Sequence, residues 1–152
     1  MDRATEQEKV MSRRKPLASG RRSKFEDKIA KELDDAGVKY TYESVQLEYQ
    51  EPLRKNLATC GDCGSTNLRR TGWYTPDFIL SNGIILETKG RFTAADRRKM
   101  LAVIDHHPDE RIVMLFQRDN KIHKNSSTYY SDWCMSHGIE YAIGHPHQEW
   151  LK

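Results

Sequence analysis

The sequence predicts an α/β domain, a mixed central sheet covered by helices on both faces. Three observations point there. Two long segments carry apolar residues at helical spacing, the elements run helix, strands, helix, strand, helix, and a strand pair in mid-chain is apolar on both sides. A strand pair without a polar face belongs in the middle of a sheet.

The first segment, residues 1–21, is polar and basic and reads as a flexible arm ahead of a domain spanning residues 22–152. From Arg22 to Ala36, Phe25, Ile29 and Leu33 recur at every fourth position, which places them on one helical face. Ser23 is the candidate N-cap, Asp27 lies in the first turn, and Gly37 is suited to end the helix. Val38 to Tyr49, rich in Tyr and Val, reads as a strand. Residues 53–72, with two cysteines and three glycines, read as a loop or small insertion. Trp73 to Leu80 and Ile84 to Lys89 form two strands around Ser81-Asn82-Gly83. Thr93 caps a helix that runs to His107 and is closed by Pro108, with Met100, Val103, Ile104 and Leu101 toward the core. Arg111 to Phe116 is a short apolar strand, and Ser127 to His137 a third helix stopped by Gly138. Tyr141, Ile143 and Trp150 are expected to pack in the last segment.

With 152 residues, 37% apolar and 31% charged, the composition fits one globular domain rather than a disordered chain. No run approaches the roughly 18 apolar residues of a membrane span. The N-terminus lacks the apolar stretch of a secretory signal, and three cysteines are an odd number for a disulfide framework. An intracellular protein is therefore expected. Residues 1–24 hold eight Lys and Arg against three acids, a net +5, so the remainder carries −2 of the chain's +3. A basic arm ahead of a near-neutral domain suits a polyanionic partner.

The chemistry concentrates around the mid-chain hairpin. Glu87 and Lys89 share a strand face. Where Asp77 points depends on the turn. A two-residue Asn82-Gly83 turn sets Asp77 opposite Thr88, whereas a three-residue Ser81-Asn82-Gly83 loop with Gly83 left-handed sets it opposite Glu87. In the second case two carboxylates converge beside a lysine. Phe78, Leu80, Ile84 and Leu86 then line the other face, with Ile79 and Ile85 beside the acids. Like charges so placed raise one another's pKa, and a divalent cation resolves the conflict. Such a cation can activate water and stabilise charge on a phosphate, while the lysine orients or deprotonates the water or neutralises the phosphate. A solvated surface hairpin is the alternative, and the apolar residues on both faces speak against it.

Pro76-Asp77 followed by Glu87-x-Lys89 resembles the PD-(D/E)xK nuclease superfamily. A narrower resemblance covers residues 22–151 with one gap. Ser23 to Lys28, Gly37 to Tyr40, Tyr42-Glu43, Tyr74 to Phe78, Asn82 to Ile84 and Glu87 to Gly90 are similar to endonuclease I of the T-seven-type phages, with weaker similarity beyond. That resemblance implies a restriction-endonuclease-like core in an intertwined homodimer. It implies a Holliday-junction resolvase that recognises branched DNA by shape and hydrolyses phosphodiesters to 5′-phosphate and 3′-hydroxyl ends. It makes Glu26, Asp77 and Glu87 the metal-binding acids and Lys89 the catalytic lysine. Up to two magnesium or manganese ions are implied, bridged by Asp77, with Glu26 supplied by the partner chain. By spacing alone Glu26 is only a polar residue at the edge of the apolar stripe.

A four-way junction has twofold symmetry that a dimer can match. Arg91, Arg97, Arg98 and Lys99, with Arg13, Arg14, Lys15, Arg21 and Arg22 of the arm, are the candidates for holding its backbone. Cys60 and Cys63 fall in the gap of the resemblance and form half of a zinc site, which needs four ligands. Two chains sharing one zinc, a zinc with a distant Cys or His, and a metal-free loop all remain open. Two other functions compete: a repair or restriction-type nuclease acting on duplexes, and a non-enzymatic DNA-binding protein.

Overall fold

The computed structural model describes residues 14–16, 23–52 and 68–152. The elements are β1 (Arg14–Pro16), α1 (Lys24–Asp35), β2 (Tyr40–Tyr42), β3 (Val45–Pro52), β4 (Arg69–Tyr74), β5 (Phe78–Leu80), β6 (Ile85–Lys89), α2 (Ala94–His106), β7 (Ile112–Phe116), α3 (Tyr130–Ser136), β8 (Tyr141–Ile143) and a closing 3-10 turn (Gln148–Leu151). The main sheet has five strands in the order β2-β5-β6-β7-β8. Its first three strands pair antiparallel and its last three parallel. This is the mixed α/β sheet expected. Among the described residues no helix is long and apolar enough to cross a membrane.

Each face has its own core. Phe25, Ile29, Ala30 and Leu33 of α1 pack with Phe78, Leu80, Leu86, Val113, Leu115 and Trp150 on one side. Ile85, Met114 and Phe116 on the other side meet Met100 and Val103 of α2 and Trp133 and Cys134 of α3. Alternate residues of β6 and β7 thus enter opposite cores, which is why every position of β7 is buried. Burying an apolar side chain of this size contributes about 1.5–3 kcal/mol, so the two cores dominate stability. The caps fall where the sequence places them: the Ser23 hydroxyl accepts from Glu26 N, and Thr93 and Asp96 form a reciprocal capping box.

The strand pattern corrects the sequence in four places. Val38 to Tyr49 is two strands, since Glu43, at φ 41°, turns the chain out of the main sheet before β3 begins. Trp73 to Leu80 is likewise split, at Thr75-Pro76-Asp77, where Pro76 has no N–H for a ladder. The insertion is shorter than expected, because β4 starts at Arg69 and pairs with β3 from Pro52↔Arg69 to Leu47↔Tyr74. The arm is not all free chain: β1 adds to β3, with Arg14 opposite Leu47 and Lys15 opposite Gln46. β1, β3 and β4 form a second, three-stranded sheet. Ile143 is a further correction, 39% exposed where packing was expected, whereas Trp150 is buried. Arg13, Arg21, Arg22, Cys60 and Cys63 lie outside the described residues.

Both breaks occur at one place. The last main-sheet pair is Tyr42↔Phe78 and the first pair of the small sheet is Leu47↔Tyr74. Glu43 N donates to Asp77 O at 3.0 Å across the fork between them.

Candidate active site

The hairpin between β5 and β6 decides whether the acids meet. Phe78 pairs with Leu86 and Ile79 with Ile85, the register of a three-residue loop. Gly83 sits at φ +90°, a conformation that costs a residue with a Cβ about 1–2 kcal/mol. Asn82 fastens the loop, its Oδ1 accepting from Ile84 N while its Nδ2 donates to Trp150 O and Lys152 O. Continuing the register by one residue brings Asp77 opposite Glu87, so of the two turns left open by the sequence the longer one forms.

Asp77, Glu87 and Lys89 line a cavity of about 170 Å³ with Tyr74, Thr75, Asp96, Lys99 and Met100. Glu87 is 4% exposed and has both oxygens engaged. The Tyr74 hydroxyl donates to Oε2 at 2.6 Å, and Lys89 Nζ lies 3.0 Å from Oε1. Asp77 Oδ2 accepts from Thr88 N at 2.8 Å and Thr88 Oγ1 at 2.6 Å. Burial and then the Glu87 charge push the Asp77 carboxyl up to about 7, against the pull of the Thr88 bonds. Burial works against a charged Lys89, but Glu87, Asp96 and Asp77 together outweigh it, and the net shift is upward. Lys89 is therefore a protonated partner of Glu87 in this geometry. Burial foremost, then the neighbouring Glu87, raises the Tyr74 phenol, which keeps it a neutral donor.

The fourth predicted residue joins from α1. Glu26, Glu43 and Asp77 each offer a carboxylate oxygen, all within 4.8 Å of one another. Ser23 Oγ and the Tyr42 hydroxyl, at 2.7 Å and 2.5 Å, donate to the two oxygens of Glu26. One chain brings Glu26 to Asp77, whereas the resemblance implies that it crosses from a partner. Residues 53–67, which join the two halves of the small-sheet hairpin, lie outside the described residues.

Glu43, Tyr42, Tyr74 and Thr88 are the site residues that sequence reasoning missed. Tyr42-Glu43 and Tyr74 stand inside the segments that carry the resemblance, but nothing in their type or spacing assigns them a role. Of the basic candidates, Arg91 and Arg98 are exposed and Lys99 lines the cavity. Arg97 instead braces the start of α2, donating from Nη1 to Phe92 O at 2.8 Å. The remaining cysteine, Cys134, is a free thiol buried in the core.

The donor set fits a hard divalent cation. It offers only carboxylate oxygens around the cluster, it holds one carboxyl far above its ordinary range, and thiol and imidazole donors are missing from it. Comparison with known proteins agrees with a nucleic-acid role. The phage endonuclease I family pattern matches residues 65–152. The endodeoxyribonuclease 1 of Enterobacteria phage T3 is 38% identical over 122 residues, covering 80% of this chain and 70% of that protein. Endonuclease I of Escherichia phage T7 is 36% identical over 132 residues, covering 86% and 78%. A four-residue acid and lysine constellation on a correctly registered hairpin, and identity at this level over most of both chains, lead to one conclusion: the chain belongs to the phage endonuclease I family.

Proposed function

We propose that the protein is a structure-selective DNA endonuclease that resolves four-way junctions and other branched DNA by metal-dependent phosphodiester hydrolysis. The observation that carries this is the convergence on Asp77, which lines one polar cavity with Glu87 and Lys89 and forms an acid cluster with Glu26 and Glu43. Asp77, Glu87 and Glu26, with Glu43 beside them, would hold magnesium or manganese, which would supply a water nucleophile at neutral pH and charge for the phosphate. The chain's own residues do the positioning. Tyr74 and Lys89 fix both oxygens of Glu87, Thr88 fixes Asp77, and Ser23 and Tyr42 fix Glu26, so little reorganisation remains when substrate arrives. Lys89, protonated beside Glu87, supplies positive charge to the phosphate. Hydrolysis with the 3′-oxygen as leaving group gives 5′-phosphate and 3′-hydroxyl ends.

A homodimer with two sites matches the twofold symmetry of a junction. Exchange of α1 between protomers would conserve the contacts between Glu26 and Asp77, because domain swapping reuses the contacts of the closed chain. The exposed Arg91 and Arg98, with Arg14 and Lys15 on β1, would hold backbone phosphates and make binding steeply salt-dependent. A zinc shared through Cys60 and Cys63 of two chains is a separate expectation of the sequence, tested by metal analysis of the purified protein.

The test of the function uses wild type and Glu87→Gln with a labelled four-way junction and a linear duplex of the same sequence, with and without magnesium. Paired nicks near the branch that need metal and vanish in Glu87→Gln, while junction binding survives, are expected. Equal cutting of both substrates would remove the resolvase reading, and no metal-dependent cutting would refute the enzyme.

A further inference from the structure

We infer that Lys99 is a substrate-contacting cation of the active site, seated on two tyrosine rings so that its ammonium meets the scissile phosphate. The inference rests on the phosphodiester-hydrolysis reading and adds to it a residue outside the acid and lysine constellation. Lys99 lies on α2, whose other basic residues behave ordinarily: Arg98 is exposed and Arg97 braces a backbone carbonyl. Lys99 is half-buried and bends back over the sheet. Its Nζ stands 5.7 Å from the centre of the Tyr74 ring and 6.0 Å from that of Tyr49. These are cation–π distances, and the seat directs the ammonium to the cavity that Asp77, Glu87 and Lys89 line.

The charges around that cavity are unevenly committed. Glu87 is occupied by Tyr74 and Lys89, and Asp96 by Thr93 N and Oγ1. Lys89 already shares its charge with Glu87 Oε1, 3.0 Å away. Lys99 has no carboxylate within 4.0 Å among the described residues, so its charge is left for an incoming anion. A ring face holds an ammonium in place without cancelling its charge, unlike a carboxylate. A phosphodiester oxygen is the anion this site would meet.

The seat is itself built into the sequence. A Cβ on Gly72 would stand 2.5 Å from Cζ of Tyr49. Only glycine there, directly opposite Tyr49 in the β3/β4 register, lets the ring lie flat over the strand beneath Lys99. Gly72→Ala therefore displaces one wall of the seat without touching the lysine.

The experiment compares wild type, Lys99→Met, Lys99→Arg, Lys31→Met and Gly72→Ala, each first shown to be folded by its thermal melt. Single-turnover cleavage of a four-way junction is measured at saturating enzyme and magnesium. Binding is measured without metal, to the same junction and to one carrying an uncharged methylphosphonate at the cut site. Lys99→Met is expected to lose on the order of 10²-fold in rate, the scale of removing one preorganised donor. It should also lose the wild-type preference for phosphodiester over methylphosphonate. Lys99→Arg should recover most of both, Lys31→Met, which removes an exposed lysine paired with Asp35, should affect neither, and Gly72→Ala should fall between. If Lys99→Met cuts at the wild-type rate, or weakens binding to both junctions equally, the inference is wrong although the nuclease reading stands. If wild type itself cuts nothing with metal, the nuclease reading fails and takes this inference with it.

Discussion

Replacing Asp77 by Asn should make the metal-free protein more stable, although it removes a residue of the site. The Asp77 carboxyl titrates at about 7 in the folded chain against an ordinary 3.8, so the folded state holds its proton more tightly than the unfolded state. The sign follows: this group's contribution to stability is greatest below pH 4, falls as the pH rises through the window from 4 to 7, and stays low above it. About three pKa units correspond to a ceiling of about 4 kcal/mol. Relaxation and water entry around the ionised group reduce this to about 2 kcal/mol. The Asn oxygen can keep both Thr88 bonds, so little is lost in exchange. For a domain of this size about 2 kcal/mol raises the melting temperature by about 4–8 °C. The assay is thermal melting of wild type and Asp77→Asn in a chelator between pH 4.5 and 8.5, repeated with saturating magnesium. The gain should appear at pH 8, shrink toward pH 4.5, and disappear with magnesium, which stabilises only the wild type. A variant no more stable than wild type at pH 8 in chelator would refute the reasoning, as would a gain that does not vary with pH.

Three further outcomes follow from the geometry. Tyr74→Phe keeps a buried ring and loses only the hydroxyl bond to Glu87, so urea unfolding should show a loss of about 1–2 kcal/mol and cleavage should require roughly tenfold more magnesium. Gly83→Ala meets no atom within 4 Å, so its cost is the left-handed backbone alone, about 1–2 kcal/mol by urea midpoint; a larger loss would indicate that the hairpin had changed register. Ser23→Ala removes the α1 cap and a bond to Glu26 and should cost about 1 kcal/mol, with cleavage falling more than the stability loss explains.

The main sheet was legible because its signals are local. Period-four apolar residues, a capping serine and a capping threonine each fix an element without reference to distant contacts, and Glu87-x-Lys89 fixes its own face by alternation. Asp77 was half legible: its type was plain, but its direction hung on whether the loop holds two residues or three, which Asn82-Gly83 alone does not decide. The second sheet was hidden because Val38 to Tyr49 and Trp73 to Leu80 each look like one strand. What splits them is a left-handed Glu43, which sequence does not favour, and its bond to Asp77 O across the fork. Glu43 escaped notice for the same reason. Lys99 was legible as a basic residue, but not as one that leaves the solvent face for two tyrosine rings contributed by two different strands.

The paired stem of β3 and β4 has one end in the site and the other away from it. Six register pairs, about 17 Å of ladder, run from Leu47↔Tyr74, beside Glu87, to Pro52↔Arg69 at the far end. The register that aligns Asp77 with Glu87 is set separately, at Ser81 to Gly83, so a change at the far end of the stem leaves that alignment untouched.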